Sequence, residues 1–119
     1  MTITEKRYYG LLKADNTTPG DVERQQLFYT ISRNDMLWSQ AAKIYDTKEH
    51  CLINGWNKLF SGSLGKMLQR AAHLYNSSNE DISTVNLFWG LDEHNKETMI
   101  NAQLIYCGLF NFDNLEHDF

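Results

Sequence analysis

The sequence predicts an all-α fold, a single compact domain of five to six packed helices. Three observations carry that expectation. Apolar residues recur at helical rather than alternating spacing along most of the chain. Capping residues and glycines stand where those segments start and stop. No pair of Val/Ile-rich runs is left over to build a sheet. The chain has 119 residues, 42% of them hydrophobic and 13% aromatic, which is enough apolar surface for one core and too little length for two.

The first helix is expected over residues 3–14: Thr2-x-x-Glu5 fits a capping box, and Tyr8, Leu11 and Leu12 follow helical spacing. "NTTPGD" around Pro19 breaks it and opens a second helix over 19–33, with Val22, Leu27, Phe28 and Ile31 along one face. "SRND" interrupts again, and Asn34 or Asp35 can cap a third helix over 35–46 carrying Leu37, Ala41, Ile44 and Tyr45. From "TKEHCLINGWNKLF" the periodicity is weak and Asn54-Gly55 is a turn signal, so a loop or one broken helical turn anchored by Ile53, Trp56 and Phe60 is expected.

Leu64, Met67, Leu68, Ala71, Ala72 and Tyr75 form the cleanest stripe in the chain and predict a helix over 64–76. "NSSNEDIS" closes it with residues that compete for the backbone. Ser83 can cap a short segment over 84–90 whose β-branched and aromatic content leaves helix against strand open. Asp92 caps a last helix over 93–107, with Gly108 as its stop, and the tail "NFDNLEHDF" is acidic and partly aromatic, expected to pack at its start and fray at its end.

The formal net charge is −4, which argues against a nucleic-acid binder that must neutralise phosphates, yet the excess is too mild for a DNA mimic. No apolar run approaches the roughly 20 residues that span a bilayer. The N-terminus shows no signal-peptide pattern, and Cys51 and Cys107 lack C-x-x-C spacing, so both are expected as reduced, packed thiols of a cytoplasmic protein.

"SGSLGKMLQR" at 61–70 is the stretch closest to a phosphate-binding loop, but Phe60 stands where the first glycine belongs and Met67 where Ser or Thr would hold magnesium. What survives is a generic anion preference of Ser61, Ser63 and the first N–H groups of the helix. Lys66, Arg70 and His73 share a helix face beside them, which reads first as a solvated basic strip and second as a surface for an anion or an acidic partner segment.

Metal ligation lacks paired ligands: His50, Cys51, His73, His94, Cys107 and His117 show none of the short spacings of structural zinc. His94 and Glu97 could give two ligands, with no second pair to complete a carboxylate site. Cys51 beside His50 is the one pair suggestive of nucleophilic catalysis, and sequence neighbours usually point apart. No cofactor and no catalytic residue is therefore expected. Of the three tryptophans, Trp38 falls one position off its stripe and Trp89 sits between turns, so these two are the candidate partner anchors.

"LFY" at 27–29, "IYD" at 44–46, "GW" at 55–56, "SGS" at 61–63, "RAAHLYN" at 70–76 and "LF" at 87–88 together resemble an uncharacterised family of small helical proteins from low-GC Gram-positive bacteria and their mobile elements. "HNKETMINAQLIYCGLF" departs from that family's aromatic-rich ending. The resemblance implies no activity; it implies a bacterial cytoplasmic protein, cargo of a phage or transposon, for which interference with a host protein is a familiar occupation. The expected function is a non-enzymatic interaction or regulatory protein that presents a helical surface to a protein partner or to a second copy of itself. The alternative is a small-ligand or phosphate binder, or an enzyme, using Ser61 to Lys66 with Arg70 and His73.

Overall fold

The structure, a computed structural model, describes residues 1–109; the expectations for the acidic tail and for His117 lie outside the described residues. Within them the chain is all-α, with seven helices and one small two-stranded sheet. Helix α1 (Ile3–Asp15) begins with the expected capping box, Thr2 Oγ1 accepting from Glu5 N–H at 3.0 Å, and ends where Asn16 turns left-handed. Helix α2 (Val22–Arg33) starts three residues later than expected, because Asp21 rather than the Pro19 turn supplies the cap to Arg24 N–H.

The helix expected over 35–46 is two helices, α3 (Asp35–Ser39) and α4 (Ala41–Ile44). At the break, Gln40 N–H bonds back to Leu37 carbonyl and Ser39 Oγ donates to Met36 carbonyl at 2.6 Å, so the turn tightens and the ladder does not continue. This division accounts for a seventh helix.

The weakly periodic stretch after it forms an antiparallel hairpin, β1 (Tyr45–Asp46) with β2 (Cys51–Leu52), registered Tyr45 to Leu52 and Asp46 to Cys51. Asp46 Oδ1 accepts from Lys48 and Glu49 N–H and sets the turn between the strands. Gly55, at φ 93°, leads into a single 3-10 turn over Trp56–Lys58, the broken turn expected there. Helix α5 (Gly62–Tyr75) follows, then α6 (Thr84–Phe88) capped by Ser83, which resolves that segment as helix, and α7 (Glu93–Tyr106) capped by Asp92.

Helix α2 is the centre of the molecule. Every residue from Gln26 to Ser32 is buried, and the helix packs against α1, α5 and α7 on its different sides. Leu27, Phe28 and Ile31 meet Leu68 and Ala71 of α5 and Ala102 and Ile105 of α7 in the main core. A smaller cluster, Leu37, Met67, Leu87, Leu91 and Met99, seats α3 and α6 on the other side of α5. The buried polar side chains of α2 are satisfied in part: Gln26 Nε2 donates to Ala71 carbonyl at 2.7 Å and Asn101 Nδ2 to the Tyr29 hydroxyl at 2.9 Å, while Gln26 Oε1 and Ser32 Oγ have no hydrogen-bond partner among the described residues.

Candidate functional site

The best-defined helix, α5, has the least conventional start. Ser61 occupies the cap position in extended geometry, but its side chain makes no capping hydrogen bond, unlike Thr2, Asp21, Asn34, Ser83 and Asp92 at other helix starts. Gly62 is left-handed at φ 61°, and Gly65 lies so close to the preceding strand of chain that a Cβ would stand 2.9 Å from Phe60 carbonyl oxygen. The glycines of "SGSLGK" are thus explained by a tight approach into the helix rather than by a phosphate cradle.

Gly62, Gly65, Lys66 and Gln69 on one face of α5, with Tyr75 from its last turn, line one side of a cavity of about 980 Å³. The chain from Cys51 through Asn57 forms the facing wall, and Asn76 to Glu80 close the far end. Lys66 is half-buried in this groove and has no hydrogen-bond or ion-pair partner among the described residues.

Arg70 and His73, one and two turns further on, are held elsewhere. Arg70 Nε donates to Asp81 Oδ1 at 2.9 Å and Nη2 to Ile82 carbonyl at 2.6 Å, while His73 Nδ1 lies 2.7 Å from Asn79 carbonyl oxygen. Burial works against the Asp81 carboxylate, but the Ile82 N–H, Arg70 and His73 outweigh it and keep its pKa below the ordinary value. These two side chains tie the segment after α5 back onto the helix. The structure places Ser61 and Lys66 on the groove, and Ser63 in the same first turn.

A second polar cluster was not legible in the sequence. Asp15, at the last residue of α1, is 2% exposed. Its Oδ1 accepts from the Tyr45 hydroxyl at 2.7 Å and lies 2.8 Å from His50 Nδ1; its Oδ2 accepts from Thr17 at 2.6 Å, with Arg24 Nε at 3.7 Å. Burial raises the Asp15 pKa, but the three hydrogen bonds and the Arg24 charge more than reverse that, so the carboxyl is held below its usual range and is ionised. An ionised carboxylate only accepts, so the Nδ1 proton belongs to His50.

Arg24 completes the cluster by donating from Nε to the Tyr45 hydroxyl at 2.9 Å and from Nη2 to His50 carbonyl at 3.1 Å. Desolvation and the bond to Asp15 push the Tyr45 phenol well above its ordinary pKa, so it stays a donor. His50 itself is left-handed at φ 59°, a conformation that costs a non-glycine residue about 1 kcal/mol or more and is held here by Arg24 and by the Tyr75 hydroxyl on the same carbonyl. The cluster joins α1, α2, the hairpin and α5. Its residues are separated in sequence by up to sixty positions, and Asp15 in "KADNTT" reads only as a helix end.

Both cysteines, expected to be packed, are exposed: Cys51 is on the outer strand of the hairpin and Cys107 caps α7. His94 Nε2 lies 2.7 Å from Arg33 carbonyl oxygen, and Glu97 pairs with the Arg33 guanidinium at 4.0 Å, so both meet the end of α2. Among the described residues no group of three His, Cys, Asp or Glu side chains is placed to hold a metal ion. Among them also, no helix is long and apolar enough to cross a membrane.

The two candidate anchors differ. Trp38 is half-buried against the main core with the Arg7 guanidinium over its ring at 5.2 Å. Trp89, at the end of α6, is 76% exposed, and Val85, one turn before it, is 77% exposed. Leu87 between them is buried and Phe88 is half-buried against the same cluster, so the segment packs two apolar residues inward and leaves Val85 and Trp89 outward.

The chain belongs to a family of unknown function, DUF6075, whose sequence profile matches residues 2–116. No curated protein and no solved structure matches it.

Proposed function

We propose that this is a non-enzymatic interaction or regulatory protein that engages a protein partner through the outward face of α6, with Trp89 as the anchor. The observation that carries the reading is the exposure of Trp89 and Val85, four residues apart on one short helix whose opposite side is fixed in the core. Leaving an indole in water forgoes a large apolar burial, and tryptophan is the residue most enriched where one side chain dominates an interface. Together with the resemblance to proteins of low-GC Gram-positive bacteria and their mobile elements, this supports a cytoplasmic phage or mobile-element protein that modulates a host protein.

Affinity capture from a Gram-positive bacterial lysate with the wild-type chain and with Trp89→Ala tests it. The expected result is one partner retained by the wild type and weakened at least thirtyfold by the substitution, the size of a ~2 kcal/mol hot spot. The variant should melt within about 0.5 kcal/mol of the wild type, because the indole is solvated in the free protein. A partner held equally by both proteins refutes the role of Trp89, and no specific partner refutes the reading.

A further inference from the structure

We infer that the groove between β2 and α5 is a second docking surface, which takes an extended segment of a partner protein as a third strand on the β2 edge, with an acidic residue of that segment on Lys66. Three features of the groove fit that occupant, and none of them involves Trp89.

The first is the edge. Ile53 N–H donates to Ile44 carbonyl at 2.9 Å, in register with the Tyr45–Leu52 and Asp46–Cys51 pairs. Peptide groups alternate along a strand, so the N–H and C=O of Leu52 point away from β1. Residues 51–57 line the groove and the β1 residues do not, so that outward side faces the cavity. An extended chain laid there gains main-chain hydrogen bonds of the kind used in strand addition.

The second is room. The groove holds about 980 Å³ between residues 51–57 and the α5 residues Gly62, Gly65, Lys66 and Gln69, and two of those four carry no side chain, which leaves space beside the β2 edge for a chain in extended form.

The third is charge. Lys66 stands in the groove at one end of α5 with no counter-charge among the described residues, and Glu80, also without an ion pair among them, borders the other end. Arg70 and His73 are occupied by Asp81 and Asn79, so Lys66 is the cation this groove offers. A segment acidic at one end and basic at the other fits in a single direction. Half-buried Trp56 and Tyr75 line the walls and give side chains of the segment an apolar surface.

The test is selection of random heptapeptides on the immobilised full-length chain, followed by solution binding of a synthetic winner. Selected peptides should carry Asp or Glu at one end and Lys or Arg at the other. Lys66→Glu should weaken the winner at least tenfold, N-methylation of alternate peptide amides should abolish binding, and the bound peptide should slow hydrogen exchange at the Leu52 amide. Trp89→Ala should leave this binding unchanged. Selection without charge preference, or binding indifferent to Lys66→Glu and to N-methylation, overturns the inference. Peptides lost with Trp89→Ala instead support the α6 surface and overturn this one. Lys66-dependent stabilisation by inorganic phosphate equal to that given by the peptide marks a small-anion site and overturns it too.

Discussion

Asp15 is the residue on which the local folds depend most, because it is a buried ionised carboxylate whose charge is balanced by side chains from three other segments. Asp15→Asn removes the charge and sets an amide donor against the donors Tyr45, His50 and Thr17, while Arg24 keeps its closer pair with Asp21; the lost charge-assisted hydrogen bonds should cost about 2–3 kcal/mol in urea denaturation. Tyr45→Phe leaves Asp15 and Arg24 without the hydroxyl that bridges them and should cost about 1–3 kcal/mol. The same carboxylate gives a pH signature. Its folded pKa lies below the ordinary 3.8, as does that of Asp81, so the stability they supply is fully present above that value and is lost as pH falls through the folded pKa. Thermal melts from pH 7 to pH 2 should show Tm falling steeply below about pH 4. In Asp15→Asn that fall should be shallower, because one of the two groups no longer titrates.

At the scale of elements, two glycines on helices should respond in opposite directions. Gly10 lies on the exposed side of α1 with nothing within 4 Å of an added Cβ, so Gly10→Ala should stabilise by about 0.5–1 kcal/mol through helix propensity. Gly65→Ala places its methyl 2.9 Å from the Phe60 carbonyl and should destabilise by about 1–3 kcal/mol, read by the same denaturation. The helices α1, α2, α5 and α7 were legible in the sequence because each announces itself locally, through a cap such as Thr2 or Asp92, through the Pro19 break with the face of Val22, Leu27, Phe28 and Ile31, or through the stripe from Leu64 to Tyr75. The break at Gln40 was not, since Leu37, Ala41 and Ile44 keep helical spacing across it and only the tightened turn divides them. The hairpin was hidden for a different reason: strands of two residues are too short to show alternation.

For the whole molecule, the contrast between inside and outside is what the sequence conveyed least. The core of α2 was foreseeable from Leu27, Phe28 and Ile31, yet the cluster around Asp15 requires residues from four elements to converge, and no local pattern encodes that. The groove was half visible: "SGSLGK" marked Ser61 and Lys66, while the facing wall from Cys51 to Asn57 came only with the fold. Trp89 stood out as a tryptophan between turns, and its exposure emerged once Leu87 was seen to take the inward position of α6. The protein is thus a core organised on α2 that displays an apolar face on α6, and the proposed function turns on whether that face meets a partner. Placing a photoreactive benzophenone amino acid at exposed Asn86, beside an intact Trp89, and irradiating cells that express the protein tests this most directly. One dominant covalent adduct with a different protein is expected, lost when Trp89→Ala is added and absent when the same group is placed at exposed Lys58. No adduct at position 86, or a scatter of adducts matching that of the Lys58 control, contradicts it.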